Sequence, residues 1–104
     1  MAEKLGFEDR DFRELVWIFL ETSRADLEAL REAIDRKDLA KVVELAHSLQ
    51  GAAGALGIHE IQDLAKKIVE NARKAVLDES VKTAAAIKRN LERFAAGIKK
   101  EDSP

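Results

Sequence analysis

The sequence contains no cysteine and no tyrosine, a single proline and a single tryptophan. Without cysteine there is no disulfide framework, no thiol nucleophile and no zinc-thiolate centre. Only two histidines are present, and they stand more than ten positions apart, a poor basis for a metal site. Aromatic residues make up 5% of the chain and strand-forming sequence is scarce, which argues against a sandwich or barrel. No apolar run approaches the roughly 20 residues of a membrane span. The opening "MAEKLGFEDRDF" carries no apolar signal core, so a soluble, cytoplasmic protein is expected. Neither sign of charge dominates. Lys and Arg total 18 against 20 Asp and Glu, a net charge of −2, so nothing draws the chain to nucleic acid or to an anionic membrane surface.

What the sequence does have is charge, at 37%, and aliphatic side chains at helical spacing, in a length of 104 residues that suits one domain. There is no internal repeat and no low-complexity segment; only the final "KKEDSP" reads as a frayed end. Phe12, Leu15, Val16, Phe19 and Leu20 form one apolar stripe, continued by Leu27, Leu30, Ala33 and Ile34. Thr22 and Ser23, with Asp26 where a capping acid belongs, predict a short helix running into a longer one. Asp38 is the expected N-cap of a helix through Leu56 with apolar positions Leu39, Val42, Val43, Ala46, Leu49, Ala53 and Leu56, ended by Gly57. Two more stripes follow: Ile61, Leu64, Ala65, Ile68, Val69, Ala72, Val76, and then Val81, Ala84, Ile87, Leu91, Phe94, Ala95, Ile98. Short connections argue for antiparallel neighbours. The expected fold is all-α, an up-down-up-down four-helix bundle with a short additional N-terminal helix, occupying residues 7–100 between flexible termini at 1–6 and 101–104. Trp17, Phe12 and Phe19 are read as core or bundle-cap residues.

One stretch does not read as ordinary helix. "ELAHSLQGAAGALGIHEI", residues 44–61, carries glycines at 51, 54 and 57 beside His47, although an interior glycine costs a helix roughly 1 kcal/mol relative to alanine. Winding the helix at about 100° per residue puts His47 about 120° from the centre of its apolar stripe, facing outward. Its neighbours on the helix surface are Val43, Glu44, Gln50, Gly51 and Gly54. On one reading the glycines strip away shielding side chains and leave the imidazole clear. On the other, His47 is an ordinary solvated residue and the glycines admit a neighbouring backbone. "GAAGALG" is no phosphate loop: its spacing is wrong, no strand precedes it and no Lys-Ser/Thr follows. Glu44 reads as a solvated acid, and His59, at the start of the following helix, as an exposed polar residue.

The segment "AHSLQGAAGALGIHEIQDLA" closely resembles the signature of histidine-containing phosphotransfer (HPt) domains. That signature commonly reads Ala-His-x-Leu-Lys-Gly-Ser/Ala-Ala/Ser, then Leu-Gly and a downstream Leu-Ala. Ala46, His47, Leu49, Gly51, Ala52, Ala53, Leu56, Gly57, Leu64 and Ala65 fall into register without a gap. With the lead-in "FRELVWIFLETSRADLEALREAIDRKDLAKVVELAHSL", the resemblance spans most of residues 7 to 98.

The resemblance implies a phosphocarrier rather than an autonomous kinase or phosphatase, with His47 as phosphoacceptor. Phosphate would come from the aspartyl phosphate of a response-regulator receiver domain and pass to another receiver's aspartate. The partners implied are receiver domains and a hybrid sensor histidine kinase, with a monomeric carrier. No cofactor belongs to this chain; magnesium is expected on the receiver. The surroundings of the phosphoryl group are expected from Gln50, Gly51, Gly54 and Lys67. Gln50 stands where the family usually has lysine, so it can donate a hydrogen bond but brings no charge. If residues 39–56 and 59–76 form a hairpin, Lys67 with Lys66 beside it lies near the level of His47 and could supply that charge. Two competing readings remain: a helical adaptor that no longer transfers phosphate, and a self-phosphorylating kinase fragment. The second finds no room for a nucleotide-binding segment.

Overall fold

A computed structural model describes residues 9–102, with side chains for residues 13–97. The described chain forms four helices: α1 (Asp9–Asp35), α2 (Leu39–Ala55), α3 (His59–Arg73) and α4 (Ser80–Asp102). No strand occurs among the described residues. The termini at 1–6 and any separate helix ahead of Asp9 lie outside the described residues, as do the side chains of Phe12 and Ile98.

The break expected at Thr22 and Ser23 is absent; α1 runs through both. Ser23 is 2% exposed and takes its turn in a buried row of Val16, Leu20, Ser23, Leu27, Leu30 and Ile34. That row advances by three and four residues without a slip. An N-cap serine must leave helical backbone angles, and doing so here would turn half of the row out of the core.

Where the helices do end, the backbone shows why. Asp38 caps α2, its side chain accepting from the Lys41 amide at 3.2 Å. At the far end Gly57 has φ of 74°, Ile58 N–H donates to Ala53 O and Gly57 N–H to Gly54 O, the paired bonds of a Schellman turn. The same pair of bonds ends α1 and α3, but with Lys37 (φ 57°) and Ala75 (φ 60°) at the left-handed position. A side chain there is strained by about 1 kcal/mol or more, and no glycine marks those ends in the sequence.

Helix α1 packs on α2 and α4, and α3 packs on α2 and α4, so chain neighbours are also spatial neighbours and α4 returns to α1. The most extensive contact is between α2 and α3. The core is aliphatic, with Leu20, Leu30, Leu49, Ile61, Ile68, Ile87 and Leu91 fully buried. Phe19 and Phe94 meet edge to face at 6.4 Å between ring centres, and Trp17 packs partly buried against the core. Across the α1–α4 seam Arg24 grips Glu92 with two bonds, Nε to Oε2 at 3.1 Å and a terminal nitrogen to Oε1 at 2.9 Å.

Three apolar positions expected inside are outside: Leu15 is 46%, Val76 44% and Val81 54% exposed. Val76 and Val81 sit in or beside the α3–α4 connection. Leu15 lies about 90° around α1 from the centre of the buried row, where helical spacing alone does not distinguish flank from core. No helix among the described residues is long and apolar enough to cross a membrane.

Candidate functional site

Helix α2 buries Val42, Ala46, Leu49 and Ala53, and exposes Glu44, His47, Ser48, Gly51, Ala52 and Ala55. Between these faces lie two half-buried flanks. One holds Leu39, Val43, Gln50 and Gly54; the other holds Leu45 and Leu56. Helix α3 lies against the first flank, because a Cβ on Gly54 would come within 2.7 Å of the Gln62 amide nitrogen. His47 is about 20° from Gly54 around the helix. The imidazole therefore stands at the solvent edge of the seam between α2 and α3.

The three glycines have three separate roles. At Gly51 a Cβ would meet nothing within 4 Å, so no neighbour requires the glycine, and its effect is to leave bare the surface one turn after His47. At Gly54 no backbone approaches; the neighbour is the end of the Gln62 side chain, 2.7 Å from where a Cβ would stand. At Gly57 the turn itself demands positive φ.

Gln62 is the residue that sequence reasoning missed. Its Oε1 lies 3.3 Å from His59 Nδ1, and its amide nitrogen sits over Gly54. Only the packing of α2 on α3 brings these three together; no sequence spacing connects positions 54 and 62. His59 is exposed and opens α3, as expected. Glu44 is exposed and pairs with Lys41 at 3.7 Å, a surface pair of little energetic weight. Among the described residues His47 makes no hydrogen bond or ion pair, so its ring nitrogens face solvent unengaged.

Of the remaining expected site residues, Gln50 is half-buried on the α3-facing flank of α2, and Lys66 and Lys67 are both exposed. Around α3, Lys66 is about 40° from Gln62 and Lys67 about 140°. Lys66 thus shares the flank turned towards α2, whereas Lys67 is turned away. One step along a helix swings a side chain about 100°, which separates the directions of the two lysines. Neither lysine has an ion-pair partner among the described residues.

No cluster of His, Cys, Asp or Glu among the described residues could hold a metal ion. His47 is a solvent-facing imidazole with no hydrogen-bond partner among the described residues, on a helix surface kept low beside it, which suits an accessible nitrogen nucleophile.

A helical bundle with an unengaged histidine on such a surface points to one class, and the chain belongs to it: residues 14–97 match the Hpt domain family. The chain is also similar to multistep phosphorelay regulator 1 of Schizosaccharomyces pombe, with 29% identity over 56 residues, 54% of this chain and 19% of that protein. It spans about a fifth of the length of that curated relative. No solved structure matches.

Proposed function

We propose that this chain is a phosphorelay carrier in which His47 accepts a phosphoryl group from the aspartyl phosphate of one response-regulator receiver domain and donates it to the aspartate of another. The observation that carries this reading is His47 itself, exposed at the α2–α3 edge beside an unobstructed Gly51. Family membership and the phosphorelay relative support it.

The neutral imidazole attacks phosphorus with its free nitrogen lone pair. An N–P bond forms as the P–O bond of the acyl phosphate breaks, and that electron pair leaves with the receiver's carboxylate. The proton on the other ring nitrogen stays in place. Transfer of this kind needs positioning and charge stabilisation more than acid-base chemistry, which agrees with a histidine that no carboxylate engages. The receiver supplies the magnesium; the carrier supplies the nucleophile and has no kinase or phosphatase activity of its own.

In the same reading residues 7–100 form one domain, an up-down-up-down bundle working as a cytoplasmic monomer, charged through receivers from a hybrid sensor histidine kinase. A non-transferring adaptor is the second reading, favoured by the uncharged Gln50. Incubation with phosphorylated receivers separates the two. The carrier acquires acid-labile, base-stable phosphate; His47→Gln acquires none and His59→Gln acquires it normally, with both variants helical by circular dichroism. Undiminished labelling of His47→Gln overturns the assignment of the site.

A further inference from the structure

The seam between α1 and α4 holds a groove that the histidine does not use. Its volume is about 180 Å³, and its floor is made by Leu27 of α1 and Leu91 of α4, both buried. Arg24 and Glu92, engaged with each other, form one part of its rim. Arg31 and Lys88 form another part; both are exposed, and neither makes an ion pair among the described residues. Glu28 is the remaining charged residue lining the groove, so three cations stand there against two carboxylates, on a chain whose net charge is −2.

The volume falls below the roughly 300–1,000 Å³ of pockets that enclose small molecules, so the groove suits one or two side chains of another protein. One excess positive charge is too little to hold nucleic acid or an anionic membrane, where many cations act together. It does fit a carboxylate. The planar guanidinium of Arg31 presents paired N–H donors to two oxygens, and Lys88 adds a compact charge from the facing helix. The apolar floor asks for an aliphatic side chain beside that carboxylate, the usual arrangement of an apolar centre within a polar rim.

The groove is also well placed to work alongside the histidine. Helices α1 and α4 pack on each other, as do α2 and α3, so the groove shares no helix with the seam where His47 stands. A segment seated between α1 and α4 leaves the imidazole open.

We infer that this groove docks an acidic, leucine-bearing segment of a partner protein, with Arg31 and Lys88 as its carboxylate contacts and Leu27 and Leu91 as the seat of its apolar side chain. The inference does not rest on the phosphocarrier reading. It assigns a second surface, by which the domain is held to a partner while the face bearing His47 stays free.

The test is a ¹H–¹⁵N NMR titration with a short capped peptide of glutamates around a single leucine. Saturable shifts are expected at residues 24–31 and 88–92. Exposed ion pairs are individually weak, so Arg31→Gln combined with Lys88→Gln should lower the affinity about three- to tenfold. Lys74→Gln combined with Lys82→Gln removes the same charge from exposed positions outside the groove and should leave the affinity nearly unchanged. Glu28→Gln removes the carboxylate that an acidic segment must pass and should tighten binding. In a His59→Gln background, saturating peptide should leave the rate at which phosphoramidate labels His47 unaltered. Equal weakening by the two double variants, no gain from Glu28→Gln, or shifts centred elsewhere would overturn the inference. So would equal shifts from inorganic phosphate or from the same peptide with glutamine for glutamate, and slowed labelling would overturn the independence of the two faces. Transfer from receivers is not read in any of these measurements, so failure here leaves the phosphocarrier reading to its own test.

Discussion

Replacing Gly51 by alanine adds a methyl group in open space on an exposed helical turn. Nothing within 4 Å has to move, so the change acts through the backbone alone and favours the helix by about 1 kcal/mol. A chain of this size unfolds with an entropy of roughly 0.2 kcal/mol per degree, from about 2.1 cal/mol/K per residue, so the melting temperature should rise by about 4–5 °C. Gly51→Gln should also melt no lower than the parent, yet its side chain rises about 40° around the helix from His47 and one turn away. It should slow phosphate acceptance from a receiver by tenfold or more. Thermal melts followed by circular dichroism, paired with receiver transfer rates, separate stability from access. A lower melting point for Gly51→Ala would refute the open-space reading, and a parental rate for Gly51→Gln would refute the idea that this surface is kept low for the histidine. Gly54→Ala provides a contrast, because its new methyl displaces the Gln62 amide that sits 2.7 Å away. That end of the side chain can swing aside, so the gain in stability should be smaller and the His59–Gln62 contact should be lost.

The helix ends and the α1–α4 seam give two further expectations. Gly57→Ala forces a side chain into φ of 74° and should destabilise by about 1 kcal/mol, whereas Ala75→Gly and Lys37→Gly relieve left-handed strain and should each raise the melting point by a few degrees; a loss of stability in all three would contradict the backbone assignment. Glu92 is held below its ordinary value of 4.5, chiefly by its hydrogen bonds from Arg24. A carboxylate depressed on folding stabilises above its unfolded pKa and loses that contribution as pH falls through the folded one. Glu92→Gln should therefore melt slightly below the parent at neutral pH, with the gap closing below about pH 4 in buffered melts; a constant gap would mean that the pair contributes through packing and not through charge.

Much of the fold was legible because this chain marks its structure locally. The Asp38 cap and the Gly57 turn each sit on a residue chemically specialised for the task, and the spacing of Ile61, Ala65, Ile68, Val69 and Ala72 matches the face that is buried. Thr22 and Ser23 misled because cap residues are also tolerated within a helix, and the continuity of the buried row through Ser23 outweighed the local preference. The Asp38 cap did mark the break after α1, but neither Lys37 nor Ala75 is a residue type that announces a left-handed position. At the site, the outward direction of His47 followed from periodicity within one helix. The approach of Gln62 to Gly54 did not, because it depends on how α2 and α3 are rotated and registered against each other.

The return of α4 to α1 has a bearing on how the domain assembles. Contacts between α2 and α3 close across three residues, 56–58, whereas Arg24 and Glu92 lie 68 positions apart. Loop closure is slow for distant segments and fast for near ones. The α2–α3 pair that bears the histidine, like the α1–α2 pair joined across 36–38, thus has little entropy to lose before its contacts form, and the seam between first and last helices has the most. A fluctuation that parts α1 from α4 breaks long-range contacts while leaving the local ones in place. The imidazole and the flank of α3 beside it then keep their geometry when the α1–α4 seam opens.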